Sequence, residues 1–231
     1  MIDRLTHQPL SFSVSETTEG VHIHIIDAEL MGKGEKEKKD LYIEGVQNNG
    51  IINHYEYIIN SEGTIEIRHV LKPEGKMPLW FPRIGLTLTV SDALDQVKWY
   101  GRGPQENYPD RKTGYPTGIY ASTVQAMYEP YLMPQDYGLR TDVRWLQLTT
   151  DKGIGLQFKM NEWFNFNIYP YSTDNLTKAM YTYQLQKQKG MTLNLDYATT
   201  GVGCTARGVF GAYKAMPQEY RRTISIKPMM K

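Results

Sequence analysis

Apolar residues in this chain recur at every second position over short runs, and each run ends in residues that turn the backbone. Phe12 and Val14 alternate with Ser11, Ser13 and Ser15, and Val21, Ile23 and Ile25 alternate with His22 and His24. Ile65, Ile67 and His69 share one face, Ile84, Leu86, Leu88 and Val90 another, and Phe164, Phe166 and Ile168 alternate with Asn165 and Asn167. A period of two is the side-chain period of a strand with one face buried. Further strands are expected over residues 41–46, 51–59, 143–149, 154–160, 191–197 and 220–226. Turn chemistry separates them at residues 18–20, 48–50, 60–63 and 150–153, where Gly, Asn and Asp gather. Strands and turns at this spacing predict an all-β fold of the sandwich type, with no βα alternation. One short helix is expected near 173–184, where Leu176, Ala179, Met180 and Tyr183 share a face behind Ser172 or Thr173 as the N-cap. Residues 32–40 read as a charged, exposed connector and residues 73–78 as a loop.

Between residues 101 and 142 the alternation breaks, and Pro104, Pro109, Pro116, Pro130 and Pro134 preclude long regular elements there. A long irregular segment inside a folded domain is functional or packs on another domain. Its opening is a dense polar stretch. Trp99 ends a strand, Gly101, Gly103 and Pro104 turn it, and Glu106, Asn107, Tyr108, Asp110 and Arg111 follow. Such a loop is either a recognition loop or a polar knot that satisfies itself. Beside Arg102 and Arg111, Glu106 and Asp110 read as ion-pair partners rather than a catalytic dyad.

That loop, Gly-Pro-x-Glu-x-Tyr-x-Asp-Arg over residues 103–111, resembles a signature in the C-terminal domain of bacterial β-galactosidases of glycoside hydrolase family 2. Collinear pieces extend the resemblance from about Pro82 to the end: residues 82–86, 127–131, 134–140, 164–168, Tyr171, Ser172, Leu176 and 201–203. It implies a twisted double-layer β-supersandwich of the galactose-mutarotase-like type, one domain over residues 1–231. The family's domain has additional strands ahead of that start, so Met1 is expected to mark an excised or shortened reading frame.

The resemblance also implies a function. The parent would be a retaining hydrolase of terminal β-D-galactosides, whose two carboxylates stand about 5–5.5 Å apart in a (β/α)₈ barrel absent from this sequence. This chain would have no catalytic residue and no activity of its own. It would pack against the barrel, or a large subunit, and wall one side of the active-site cleft. Magnesium and sodium would be held outside this domain, with no cofactor in this chain, and the parent would be a homo-oligomer. In well-known members a tryptophan beyond the Gly-x-Gly turn stacks on the substrate. The matching position here, counted from residues 201–203 without gaps, is Gly208, so Arg207 and Phe210 are left as substrate-binding candidates beside it. The alternatives are a stand-alone carbohydrate-binding module or small subunit, and a mutarotase-like aldose epimerase.

Other features of the sequence weigh on these readings. Tyr128, Tyr131, Tyr137 and Trp145 flank Arg140, Asp142 and Arg144, a mixture that suits a sugar groove or, preferably, a domain interface. Glu106, Tyr108, Asp110, Arg111, Arg140 and Trp145 are therefore taken as a structural or interface set. All five histidines precede residue 70, and His22 and His24 share a strand face as a possible metal or acid/base pair. No carboxylate at a suitable sequence spacing completes a metal site, so none is assigned. The glycine pairs 101/103 and 201/203 do not lead a strand into a helix, which excludes a phosphate loop.

Composition limits the partners. At 40% hydrophobic and 22% charged residues over 231 positions the chain has the make-up of an ordinary globular domain. A net charge of +1 offers neither nucleic acid nor an anionic membrane surface an electrostatic footprint. Seventeen tyrosines and four tryptophans suit both sheet packing and carbohydrate. Cys204 is the only cysteine, so no intramolecular disulfide holds the fold, which is compatible with a cytoplasmic or a periplasmic setting. No apolar run is long enough to span a bilayer and no signal peptide is evident.

Overall fold

The computed structural model of the chain describes residues 5–31, 50–204 and 208–230. The strands are β1 (Leu5–Thr17), β2 (Gly20–Met31), β3 (Gly50–Ile59), β4 (Ile65–Glu74), β5 (Arg83–Val90) and β6 (Gln96–Arg102), followed by β7 (Thr117–Thr123), β8 (Arg140–Thr149), β9 (Gly155–Tyr169), β10 (Met191–Thr199) and β11 (Tyr220–Met229). One helix, α1 (Thr173–Lys178), and two 3₁₀ turns complete the described elements. The chain forms two compact units, Met1–Phe81 with Met216–Ile226, and Pro82–Ala215 with Lys227–Lys231. The fold is all-β, as the alternation predicts, and among the described residues the strand pairings within either unit are antiparallel. The connector expected at 32–40, the strand at 41–46 and most of the turn at 48–50 lie outside the described residues.

In the first unit the strand order is β1-β2-β3-β4-β11. Its register sets Ile23, Tyr57, Ile67 and Ile224 in one row across the sheet. The β3–β4 turn is closed by Asn60, whose side-chain oxygen accepts from the amides of Glu62 and Thr64, each at 3.0 Å. On the Tyr57 face a polar chain is buried: Asn53 donates to Asp27 at 2.8 Å, and His69 Nε2 lies 3.1 Å from Asn53 Oδ1. Tyr55 stacks on the His69 ring at 4.2 Å. Burial, with the nearby His54 adding to it, pushes the His69 imidazole down to about 4. Phe12 and Val14 do not pack as the alternation suggests; they are 68% and 54% exposed on β1, the outer strand of this order.

In the second unit the order is β5-β10-β9-β8-β6-β7. β10 is paired on both sides, and residues 191–197 are buried without interruption. The strands expected at 154–160 and 164–168 are one continuous strand, β9. β7 was missed among the prolines of 101–142; its Ile119–Ala121 alternation is the local signal, and it lies at the end of the strand order, beside β6. The core gathers Trp99, Leu139, Leu146, Leu148, Phe158, Phe164, Phe166, Leu193 and Leu195, each at most 1% exposed. Each such side chain contributes roughly 1.5–3 kcal/mol by leaving water. α1 lies within the expected 173–184. Ser172 Oγ caps it by accepting from Asn175 N at 3.0 Å, and Leu176 packs on Tyr137 and Tyr169.

Candidate functional site

The loop between β6 and β7 is pinned to the sheet by Asn107, which is fully buried. Its amide donates to Leu139 O at 2.8 Å, and its side-chain oxygen accepts from the Thr141 amide at 3.1 Å and hydroxyl at 2.5 Å. Beside it, Glu106 accepts from Tyr108 Oη at 3.0 Å, from Gly138 N at 2.7 Å and from Tyr131 Oη. Burial and the Glu106 charge hold the Tyr108 phenol far above its ordinary value, so it remains a donor. Residues 106–108 are thus bound to the 131–139 segment.

Asp110 makes the second tether. Its carboxylate accepts from Val202 N at 3.1 Å and Gly203 N at 2.7 Å, while Arg111 donates to Gly203 O at 2.9 Å. The Gly-x-Gly turn therefore docks on the signature loop. A Cβ at Gly201 would lie 2.4 Å from the Asp110 carboxyl carbon, so only glycine permits this approach.

Ion pairing in this loop differs from the expectation. Arg102 pairs with Asp142 at 2.6 Å rather than with Glu106 or Asp110, and Lys112 holds the other Asp142 oxygen at 2.5 Å. Burial opposes ionisation of Asp142, but hydrogen bonds and charge from Lys112 and Arg102 outweigh it and hold the carboxyl below its usual range. The hydrogen-bond partners of Glu106 and Asp110 are neutral donors, backbone amides and phenols, which sequence spacing cannot announce.

Arg140 is buried at 3% exposure, donates to Gly138 O at 2.8 Å and lies over the Trp99 ring at 5.4 Å. Burial pushes its guanidinium down to about 10, against the attraction of Glu106 and Glu129. Trp145 does not join this set. It faces Tyr100 across the β6–β8 register, with ring centroids 6.4 Å apart, on the face opposite Trp99. Arg144 lies over Tyr100 at 5.0 Å and over Trp163 at 4.1 Å, giving an exposed cation–aromatic ladder. Phe210 is 65% exposed, and the space around Gly208 is open, with nothing within 4 Å of where a Cβ would stand. Arg207 lies outside the described residues.

A second polar network, buried at Asn167, Asn194 and Asp196 and open to solvent at Asp136, has no counterpart in the sequence reading. Arg83 reaches Asp196 at 3.0 Å, Asp136 at 3.4 Å and Asn167 at 3.3 Å. Asn167 donates to Asp136 and Tyr137 O, and Asn194 donates to Asn167 and Tyr169. Burial pushes the Asp196 carboxyl up to about 6 despite Arg83. Gly85 lets β5 close on this point, because a Cβ there would meet Leu195 O at 2.3 Å. The readable signal was polar residues at every second position, Asn165, Asn167, Asn194 and Asp196, in strands otherwise apolar. The network fastens the 136–137 segment to the sheet, and its groups answer one another. Every oxygen of Glu106 and Asp110 accepts an N–H or O–H donor.

Comparison with known proteins places these features in a family. The family model described as "Beta galactosidase small chain" matches residues 10–226. A β-galactosidase of Priestia megaterium is 38% identical over 147 residues, which is 64% of this chain and 14% of that protein. A β-galactosidase of Vibrio cholerae is 39% identical over 122 residues, 53% of this chain and 11% of that protein. The chain therefore spans about a seventh or less of the length of these relatives. Among solved structures, the GalM/aldose epimerase homologue of C. elegans aligns over 94% of this chain and 68% of its own, with a TM-score of 0.46 and 11% identity.

Proposed function

Because this chain belongs to the β-galactosidase small-chain family, we propose that it serves as the non-catalytic β domain of a β-galactosidase acting on terminal β-D-galactosides. The observation that carries the reading is the engagement of Glu106 and Asp110. A retaining glycosidase needs two carboxyl groups about 5–5.5 Å apart, one poised as acid and one free to attack. Here both carboxylates of the signature loop are consumed in tethering segments 131–138 and 201–203. Such a loop is a shaped support. Tyr131, Leu132 and Met133 stand exposed just beyond the Glu106 tether, at 36%, 95% and 56%, and offer apolar area to the rest of the parent. The exposed ring of Phe210 is the aromatic candidate for a substrate-facing role. The catalytic pair and its ions belong to the remainder of the parent.

The test is hydrolysis of a chromogenic β-galactoside by the purified chain, beside a catalytically dead β-galactosidase as the background. No turnover above that background is expected. A rate well above it, abolished by Glu106→Gln or Asp110→Asn in a folded chain, overturns the reading.

A further inference from the structure

The strand register creates a constellation that sequence spacing conceals. His22 and His24 lie on one face of β2, and β3 sets Glu56 directly opposite His24. His22 Nδ1 is 3.4 Å from Glu56 Oε1, and His24 Nε2 is 4.0 Å from the same oxygen. One ligand atom from each of the three residues falls within 4.8 Å of the others. For a tetrahedral ion with bonds of about 2.0–2.1 Å, neighbouring ligand atoms stand roughly 3.3–3.4 Å apart. Closing the set from 4.8 Å to that spacing takes side-chain movements on the order of an ångström.

Three details separate this cluster from an ordinary polar face. First, His22 is buried at 9% exposure and turns its Nδ1 toward Glu56 Oε1 at 3.4 Å, while its other ring nitrogen, Nε2, has no hydrogen-bond partner. His69 shows the contrast: it is buried too, but it is stacked on Tyr55 and bonded to Asn53. Second, Glu56 is already oriented. Arg68 Nη1 holds its far oxygen at 3.1 Å and anchors itself on Glu66 at 2.8 Å, leaving Oε1 toward the histidines. Outer partners of this kind fix metal-ligating carboxylates. Third, His24 and Glu56 border a concavity of about 410 Å³, also lined by Ser11, Ser13 and His54, with room for water at the remaining positions.

We propose that His22, His24 and Glu56 form a binding site for a divalent transition metal of the zinc class, with water completing the coordination. Two imidazoles and one carboxylate are a borderline donor set, suited to zinc and its first-row neighbours and unsuited to magnesium or calcium. The ion would clasp β2 to β3. The site stands apart from the galactosidase reading, so either can fail without the other.

The experiment uses the whole chain carrying Cys204→Ser, which removes the exposed thiol as a competing ligand. After chelator treatment, zinc chloride is titrated calorimetrically and thermal stability is followed with and without the ion. One-to-one saturable binding and a zinc-dependent rise in Tm are expected. His24→Ala and Glu56→Gln should each weaken binding by at least about 10–100-fold, the loss typical of a mere outer partner. His24 is half-exposed and the glutamine keeps the shape of Glu56, so both variants should fold, which circular dichroism checks. His54→Ala, on the same face but outside the three, should leave binding unchanged. Cobalt should give the absorption of a low-coordinate ion in the unmodified site and lose it in His24→Ala. Absence of saturable one-to-one binding, or binding untouched by either ligand variant, overturns the proposal.

Discussion

Glu106→Ala isolates the tether on which the loop reading depends. The substitution removes the acceptor of three donors: Tyr108 Oη, Tyr131 Oη and Gly138 N. Tyr131 is 36% exposed and can turn to water, whereas Tyr108 is 8% exposed and Gly138 is buried. Two donors are therefore stranded, and each buried donor without a partner costs about 1–3 kcal/mol. Arg140, already held down to about 10 by burial, also loses the attraction of the Glu106 charge. The sum is roughly 3 kcal/mol, or a fall in Tm of about 6–12 °C for a chain of this size. The assay is urea and thermal unfolding followed by near-ultraviolet circular dichroism, which reports the packed aromatic rings. Repeating it on a Tyr108→Phe background removes one stranded donor, so the same change should then cost about 1 kcal/mol less. A Glu106→Ala protein within about 0.5 kcal/mol of the parent refutes the reasoning. If galactoside binding vanished in that equally stable protein, the loop would be a ligand site.

Gly201→Ala would drive a Cβ to 2.4 Å from the Asp110 carboxyl carbon, and such overpacking should cost about 1–3 kcal/mol, read by calorimetry. His69 gives a pH dependence. Its folded value near 4 lies below the ordinary 6.5, so the unfolded chain takes up the proton first. Stability from this group is whole above 6.5, falls as pH drops toward 4, and declines by about 3 kcal/mol across that window. His69→Gln should flatten that stretch of a stability–pH profile measured by urea unfolding. Gly208→Trp meets open space and should change stability by less than about 0.5 kcal/mol. In a β-galactosidase carrying this domain it should raise kcat/KM on lactose, while Phe210→Ala should lower it; steady-state kinetics on both variants decides.

The sequence by itself determined the all-β class, most strand positions and the turns. These are local properties: a period of two, a Gly or Asn at a tight turn, a serine ahead of α1. It also marked residues 101–111 as chemically dense and, through its spacing, their family. Only the tertiary structure decided what those side chains hold. Asp110 meets the amides of residues 202 and 203, and an amide has no residue identity that spacing could reveal. Ion pairs with Arg102 and Arg111 were the local expectation, but Arg102 goes instead to Asp142, forty positions away. β7 was hidden because Pro116 just ahead of it and Gly118 within it read as breakers, although an end position in the strand order tolerates them. Glu56 stands across from His24 for the same reason: register is set by pairing between strands distant in sequence, and a shift of one residue would have turned it to the other face.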